Sequence, residues 1–296
     1  MINSKTFKRH QILVNIVMTI VTVIMIAPLV LLFIASISSE QTLLVNGYSF
    51  FPKELSLDAY RYILTNRQTV LRAYGMTILV TAIGTAVNLL LSATLGYVLS
   101  VRNLPFRNAI SFYVFFTMLF NGGLVPSYLM WTNTFHIQNT IWALIVPNFL
   151  LSAMNVILIS TYYATSIPEA IYESAQIDGA SYFKVFSSIV LPLGKPILVT
   201  VGLFTGVSYW NDWTNGLYYV NNSKLFTIQI LLNKMIQDLQ ALQANASTAG
   251  NAATLQIPTV SVRMAIAFVA LLPILVVYPF LQKYFAEGIA VGAVKG

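Results

Sequence analysis

The chain of 296 residues contains no cysteine, and only 8% of its residues are charged. Without thiols there can be no disulfide, no thiolate metal site and no cysteine nucleophile. A soluble protein carries about 25% charged residues, so the low charge and the 57% hydrophobic content indicate an integral membrane protein. The formal net charge of +7 then indicates basic residues at a membrane face, not a nucleic-acid partner.

Two further absences limit the chemistry of the chain. The two histidines, His10 and His136, are far apart in the sequence, and we assign neither of them to a metal or catalytic site. No Gly-x-x-x-x-Gly-Lys-Ser/Thr occurs, so the chain cannot hold nucleotide phosphates by that route. We expect no metal, no cofactor and no enzymatic activity in this chain, and any driving force must come from another subunit or an ion gradient.

Long apolar runs predict an all-α, polytopic membrane protein. A spanning helix needs about 20 apolar residues, and the runs that qualify are about 12–36, 75–100, 109–131, 140–164, 195–213 and 262–284. The first run is longer than a signal-peptide core of about 7–15 residues, so we interpret it as a retained helix. Six spans place both termini on one side, and Lys5, Lys8 and Arg9 favour the cytoplasm.

The third predicted span is interrupted by Asn121-Gly-Gly-Leu-Val-Pro126-Ser-Tyr128. Glycine and proline break the helical hydrogen-bond ladder, which a membrane tolerates only where protein or a cavity satisfies the backbone. The pattern predicts a bend beside a translocation path. Close helix packing through small residues is an equally good interpretation.

A polar insert, residues 165–192, separates the fourth and fifth predicted spans. Its Glu, Asp and Lys side chains would be costly in lipid, so we expect it in water. A short helix over 169–178 can end at Gly179 in the left-handed conformation, and Ser181 can cap a second helix that runs to Pro192. The alternative is an amphipathic loop that lies in the lipid headgroups.

This insert resembles the cytoplasmic loop of binding-protein-dependent ABC importer permeases, which reads E-A-A, three residues, G, nine residues, I-x-L-P. Ser174 stands where that family usually has Ala, and the residues in register are Glu173, Ala175, Gly179, Ile189, Leu191 and Pro192. In that family the loop is a coupling helix that docks into the ATPase. The resemblance implies an ATPase-coupling surface made of Ala170, Glu173, Ser174, Ala175, Ile177, Asp178 and Gly179.

Two other stretches resemble carbohydrate importer permeases: Trp210-Asn-Asp212 and the tail Leu272–Gly296. The third-span motif also resembles the lipoprotein-like branch of oligosaccharide permeases. These resemblances imply a substrate path that includes Asn121, Gly122, Gly123, Tyr128, Trp210, Asn211 and Asp212, and Asn155 is added to it as a polar residue within the fourth span. For the Trp-Asn-Asp residues, an interfacial aromatic belt or a role in folding or gating remains open. Asn88, Asn148 and Asn155 are weaker candidates, since a lone Asn in a span more often joins helices.

Two outer segments, 37–72 and 214–261, are long. We expect an amphipathic helix over about 225–244, followed by a mobile loop of small residues over 246–254. In position this loop resembles the one by which maltose-type permeases reach into their binding protein. The resemblance implies a contact through Ser247, Thr248, Ala249, Gly250 and Asn251; the alternative is a spacer.

The resemblance implies one transmembrane domain over 1–296, with its core at about 72–284 and the type I ABC importer permease fold. The chain is similar to the second permease of maltose-type systems. The resemblance implies that it lies in the bacterial cytoplasmic membrane with both termini inside. Expected partners are lipid, a second homologous permease, two ATP-binding cassette subunits that hold ATP and Mg, and an extracytoplasmic solute-binding lipoprotein. The expected activity is carbohydrate import by alternating access.

Two other classes of function fit the sequence less well. A secondary transporter or channel for a small polar solute would need titratable side chains in mid-span, and only Asp212, near a span end, qualifies. An intramembrane enzyme would need a Ser/His/Asp or metal-ligand constellation, and the sequence contains none.

Overall fold

The computed structural model describes residues 4–65, 67–101, 104–249 and 259–293, and these residues are mostly helical. Within them extended pairing is limited to one antiparallel bridge, Ser38 with Leu55, so the predicted all-α class is confirmed. The helices are α1 Ser4–Ser36, α2 Glu40–Asn46, α3 Asp58–Thr65, α4 Arg67–Ser100, α5 Arg107–Leu119, α6 Leu124–Leu129, α7 Trp142–Ile145, α8 Ala153–Ser166, α9 Glu169–Ile177, α10 Tyr182–Val185, α11 Leu191–Leu193, α12 Lys195–Trp210, α13 Thr214–Tyr219, α14 Ile228–Ala249 and α15 Thr259–Ala293. Two π-helical turns, Met130–Thr134 and Phe186–Val190, continue α6 and α10.

Two of the described helices are long and apolar enough to cross a membrane, α1 over His10–Ser36 and α4 over its whole length. Two bent pairs would each make one further span. One joins α5 to Leu124–Thr134 at 111°, and the other joins Tyr182–Leu193 to α12 at 78°. The bend predicted at Asn121-Gly-Gly is therefore confirmed.

The fourth predicted span, 140–164, is interrupted. Helix α7 ends at Ile145 and α8 begins at Ala153, and residues 146–152 between them are not helical. Pro147 has no N–H and disfavours helix in the residue before it. Asn148 has φ +69°, a left-handed conformation that Asn adopts more readily than most residues. The expectation of one unbroken helix is wrong at this point.

Residues 1–70 and 232–273 form one compact unit. Within it, the carboxylate of Glu40 accepts hydrogen bonds from the backbone N–H of Val260 (2.9 Å) and Ser261 (2.8 Å) and from Ser261 Oγ (2.8 Å). A negative charge at a helix N-terminus is favourable because it meets unpaired N–H groups. Glu40 in α2 therefore caps α15, although the two lie far apart in the sequence.

Helix α14 is longer than predicted. It runs to Ala249, so Ser247, Thr248 and Ala249 are helical and do not belong to a loop. From Ile228 to Ala249 the sequence has no Gly or Pro, and Ala is the strongest helix former. Gly250 and Asn251, the other two predicted contact residues, lie outside the described residues.

Residues 71–231 and 274–296 form the second compact unit. In it, α4 and α12 pack closely through small residues. A Cβ on Gly84 would collide with the ring of Tyr209, and a Cβ on Gly202 would lie 3.0 Å from Leu89 Cδ1. Glycine at such positions lets two membrane helices approach closely. The predicted coupling residues and the predicted substrate-path residues all belong to this unit.

Candidate functional site

The turn inside the insert 165–192 has the predicted geometry. Gly179 has φ +72°, and the N–H of Ala180 donates to the carbonyl of Ala175 (2.9 Å), which is the helix-ending bond of a Schellman motif. Ser181 Oγ accepts from the N–H of Lys184 (3.3 Å). The predicted stop at Gly179 and the predicted cap at Ser181 are both confirmed.

One side of the insert is packed onto the ends of α4, α8 and α12. Tyr97 of α4 stacks against both Tyr172 (6.5 Å between ring centroids) and Phe186 (5.2 Å). Burial raises the pKa of the Tyr172 hydroxyl. The buried residues of this cluster are Ala93, Tyr97, Ile159, Tyr163, Ile167, Ala175, Val185, Phe186, Val190, Ile197 and Val201. The aromatic stack fixes the insert to α4, and the rest of the cluster packs it onto α8 and α12.

The other side of the insert is exposed and carries most of the predicted coupling residues. Ala175 is the exception, because it is buried among the apolar residues that face α4. Ser174 Oγ donates to the carbonyl of Ile171 (3.1 Å) within its own helix. The predicted residues that are exposed on this chain are Ala170, Glu173, Ser174, Ile177, Asp178 and Gly179.

Three large apolar side chains around the Gly179 turn are also exposed. Ile177 is 86% exposed, Phe183 77% and Tyr182 68%. Sequence reasoning named Ile177 but missed the two aromatic residues. The available signal was two aromatic residues directly after the Ser181 cap, in a loop expected to lie in water. Exposed apolar side chains grouped beside carboxylates are typical of a protein-binding surface.

The break in the third span lies on the surface of this chain. Residues 120–126 are all exposed, and Gly123 has φ +87°. The side chain of Asn121 accepts a hydrogen bond from the N–H of Gly123 (2.8 Å), so the turn is closed locally. Tyr128 is half-buried and stacks on Tyr219 (5.8 Å between centroids). It is therefore less exposed than the turn that precedes it.

In the Trp-Asn-Asp stretch, the buried Asp212 caps α13. Asp212 Oδ1 accepts from the N–H of Thr214 (3.0 Å), from Thr214 Oγ1 (2.9 Å) and from the N–H of Asn215 (3.2 Å). Trp210 is buried as well. Only Asn211 is exposed. The contacts of Asp212 favour a structural role for this residue.

The break in the fourth span is held by side chains from other helices. Tyr209 OH donates to the carbonyl of Ile145 (2.8 Å), and Asn215 Nδ2 donates to that of Pro147 (3.0 Å). Asn88 Nδ2 donates to the carbonyls of Phe149 (2.7 Å) and Leu150 (3.3 Å). The carbonyls released by the break therefore have new donors, which is what a non-helical backbone in a membrane requires.

Asn155 belongs to the same network. Its Nδ2 donates to Asn88 Oδ1 (3.1 Å) and to Thr205 Oγ1 (3.0 Å), and Thr205 and Ser92 also bond to Asn88 Oδ1. Asn88 is 1% exposed. Asn155, predicted as a path residue, is thus engaged between helices, as is common for a lone Asn in a span.

Comparisons with known proteins agree with this architecture. The family model described as "Binding-protein-dependent transport system inner membrane component" matches residues 92–291. Protein LplC of Bacillus subtilis (strain 168) is 39% identical over 92% of this chain and 90% of its own length. The polygalacturonan/rhamnogalacturonan transport system permease protein YtcP of the same strain is 36% identical over 92% and 93%.

A solved structure matches as well. It is the crystal structure of a bacterial ABC transporter involved in the import of the acidic polysaccharide alginate, with a TM-score of 0.80 and 26% identity. The match covers 96% of this chain and 99% of that one. The predicted permease fold is confirmed by these matches, whereas the residues assigned to coupling and to the substrate path stay predictions.

Proposed function

The chain belongs to the family of binding-protein-dependent transport system inner membrane components, and from this membership we propose that it is a permease subunit of an ATP-driven carbohydrate importer. The substrate class is an oligosaccharide. Support comes from the named cargo of the relatives, which is polygalacturonan or rhamnogalacturonan for one and alginate for the other. Transport proceeds by alternating access, in which the site faces one side of the membrane at a time.

The proposal includes partners that this chain must contact. A second homologous permease covers the exposed third-span turn at Asn121–Gly123, because peptide groups that leave a helix are costly in lipid. The importer contains two ATP-binding subunits, which hold ATP and Mg, and one of them binds the exposed side of the insert 165–192. A solute-binding lipoprotein delivers the sugar and contacts Ser247 to Asn251. The chain crosses the bacterial cytoplasmic membrane several times with both termini inside.

The observation that carries the proposal is the exposed surface at the Gly179 turn. Glu173 and Asp178 lie beside Ile177, Tyr182 and Phe183, and all of them are exposed on this chain. Apolar side chains in the centre with carboxylates beside them are typical of a specific protein interface. The Tyr97–Tyr172–Phe186 stack lets movement of the docked ATPase reach α4 and α12.

The test is purification of the assembled importer with a Phe183→Ser variant. We expect much less ATPase subunit to co-purify with the variant than with the unchanged chain, because the exposed aromatic anchor of the interface is lost. Glu173→Ala should weaken the same interaction by about 2–5 kcal/mol if the carboxylate is paired and desolvated in the complex.

The matched control is Phe51→Ser, because Phe51 is 90% exposed but lies in the predicted outer segment. Its variant should retain the ATPase subunit. Equal recovery of the ATPase from all variants would refute the docking surface. Sugar uptake by this chain alone, without any ATPase, would favour a secondary transporter instead.

A further inference from the structure

The segment that follows α1, residues 37–57, folds back onto the end of that helix. The N–H of Ser39 donates to the carbonyl of Glu54 (3.1 Å), and the N–H of Ser56 donates to the carbonyl of Ile37 (2.8 Å). The two ends of the segment therefore lie side by side at the end of α1. The residues between them form a closed loop that contains α2, and we call the whole segment the α2 loop.

The length of α1 places the α2 loop at the membrane surface. The apolar part of α1, His10–Ser36, has 27 residues, which is about 40 Å at a rise of about 1.5 Å per residue. The hydrocarbon core of a bilayer is about 30 Å thick, and the headgroup regions bring the total to about 40–45 Å. The end of α1 therefore reaches the headgroup region, and the α2 loop begins there.

The α2 loop is also fixed to the start of α15. The carboxylate of Glu40 caps α15 through the N–H groups of Val260 and Ser261, and Arg263 Nη2 donates to Tyr48 OH (3.3 Å). Helix α15 carries the sixth predicted span. Because the loop and both helix ends belong to one compact unit, the loop is held between the end of one span and the start of another.

The large side chains that the α2 loop exposes are apolar. Phe51 is 90% exposed and Val45 80%, and Leu44, Phe50 and Leu55 are exposed as well. A monomeric soluble protein rarely exposes a large contiguous apolar patch to water. At the headgroup level, by contrast, aromatic and apolar side chains are common because one end can lie in the acyl region.

The distribution of charge favours lipid as the contact of this loop. Between Arg9 and Lys53 the sequence has a single Asp, Glu, Lys or Arg, which is Glu40, and its carboxylate is bonded to the start of α15. Residues 11–26 of α1 are all exposed on this chain. The apolar, uncharged character of the spanning helix therefore continues into the loop, as expected where both meet the same bilayer.

The backbone of the α2 loop supplies hydrogen-bond partners from within the loop. The N–H of Gly47 donates to the carbonyl of Leu43 (3.1 Å) and ends α2. The N–H of Phe51 donates to Ser49 Oγ (3.1 Å). Local pairing of this kind lets the apolar side chains enter the acyl boundary without carrying unpaired N–H groups with them.

We propose that the α2 loop is an interfacial lipid anchor, in which Phe51 and Val45 insert into the boundary between headgroups and acyl chains. Interfacial elements bury their apolar side chains about 5–10 Å into this boundary. The leaflet is the one at the C-terminal end of α1, which is the outer leaflet in the proposed orientation. The anchor sets the depth of α1 and α15 in the bilayer, and it does not depend on which solute the importer carries.

The absence of cysteine from the chain lets one fluorophore report the depth of each side chain. Phe51→Cys and Val45→Cys are each labelled with a thiol-reactive nitrobenzoxadiazole dye, and both positions are exposed, so packing is preserved. The assembled importer is placed in nanodiscs of phosphatidylcholine that is brominated either near the headgroup or near the end of the acyl chain. The importer with the unchanged, cysteine-free chain gives the background from the other subunits.

We expect bromine near the headgroup to quench the dye at both positions at least about twofold more than bromine at the chain end, since the anchor enters only about 5–10 Å. Val23→Cys, at the midpoint of the apolar part of α1 and 61% exposed, should show the reverse order. Arg61→Cys replaces a side chain that is 80% exposed, and its dye should be quenched by neither lipid.

Stronger quenching by the headgroup-side bromine at either position of the α2 loop supports the anchor, and every other combination overturns it. Blue-shifted emission without quenching would show that the second permease covers the loop. Emission like that of Arg61→Cys would show that the loop lies in water, free to meet the binding protein. Stronger quenching by the chain-end bromine at both positions would place the loop inside the hydrocarbon core.

Discussion

The two broken spans of this subunit stabilise their non-helical backbone in opposite ways. In the third span, the turn at Phe120–Gly123 is exposed and is closed by its own Asn121, which bonds to Gly123 two residues later. In the fourth span, residues 146–152 are held from outside, by Asn88 of α4, Tyr209 of α12 and Asn215 of α13. The first break is local, and the second depends on tertiary structure.

This difference indicates different mechanical roles. A break whose described side-chain bonds are all local can change its angle without disturbing the rest of the unit. A break that is hydrogen-bonded to three other helices moves only together with them. Separating it from those helices would leave buried carbonyl groups without hydrogen-bond donors. We therefore expect the third-span turn to be the adaptable element and the fourth-span break to be the rigid one.

The largest effect should come from removing the amide that braces the fourth span. In Asn88→Ala, the carbonyls of Phe149 and Leu150 both lose their donor. Buried groups left unpaired cost about 1–3 kcal/mol each, although interhelical bonds in membranes often measure less. We expect a loss of about 2 kcal/mol in the free energy of unfolding, measured on the detergent-solubilised complex.

The matched variant at the other break is Asn121→Ala. It removes one exposed hydrogen bond within a turn, so it should cost at most about 1 kcal/mol. If the two asparagine variants are destabilised equally, the distinction between a local and a braced break does not hold.

An effect of similar size is expected where α4 and α12 meet. In Gly84→Ala, the new methyl group collides with the ring of Tyr209, whose hydroxyl bonds to Ile145 at the edge of the fourth-span break. Overpacking of this kind costs about 1–3 kcal/mol. Thermal unfolding should show the loss.

Gly75→Ala is the control on the same helix, because a Cβ there meets nothing within 4 Å. It should be neutral or slightly stabilising, since Ala is the better helix former. Equal destabilisation by both variants would mean that the Gly84 contact does not support the break.

The sequence predicted the local break and missed the braced one for a physical reason. Glycines and a proline within eight residues mark the third-span turn, and the Gly179 stop and Ser181 cap are equally local signals. The fourth-span break is marked only by Pro147-Asn148, and the donors that stabilise it lie at Asn88, Tyr209 and Asn215. No periodicity or spacing connects those positions, so only the folded chain shows that they meet.

The same limit applies to the predicted site residues. The exposed face of the insert follows from helical spacing, and Glu173 and Ile177 are indeed exposed. Asp212 and Asn155 stay predicted path residues, and polar groups in spans are costly. That cost is met by bonds inside the subunit, which the sequence alone does not reveal.

The smallest expected effect is the difference between alanine variants of the two neighbouring glycines of the third-span turn. Gly123 has a positive φ of +87°, whereas Gly122 does not, and a Cβ on Gly122 would meet nothing within 4 Å. Because φ +87° is combined with ψ 171°, a conformation restricted essentially to glycine, alanine at position 123 should cost about 1 kcal/mol or more of backbone strain, and alanine at 122 should cost less. Because the strain acts on the turn itself, Gly123→Ala should change the angle between α5 and α6 and lower transport more than it lowers stability. Comparing uptake with thermal unfolding for both variants checks this. If Gly122→Ala impairs uptake as much as Gly123→Ala while both unfold normally, the space around the turn matters more than its backbone conformation, and the second permease must press closely against both glycines.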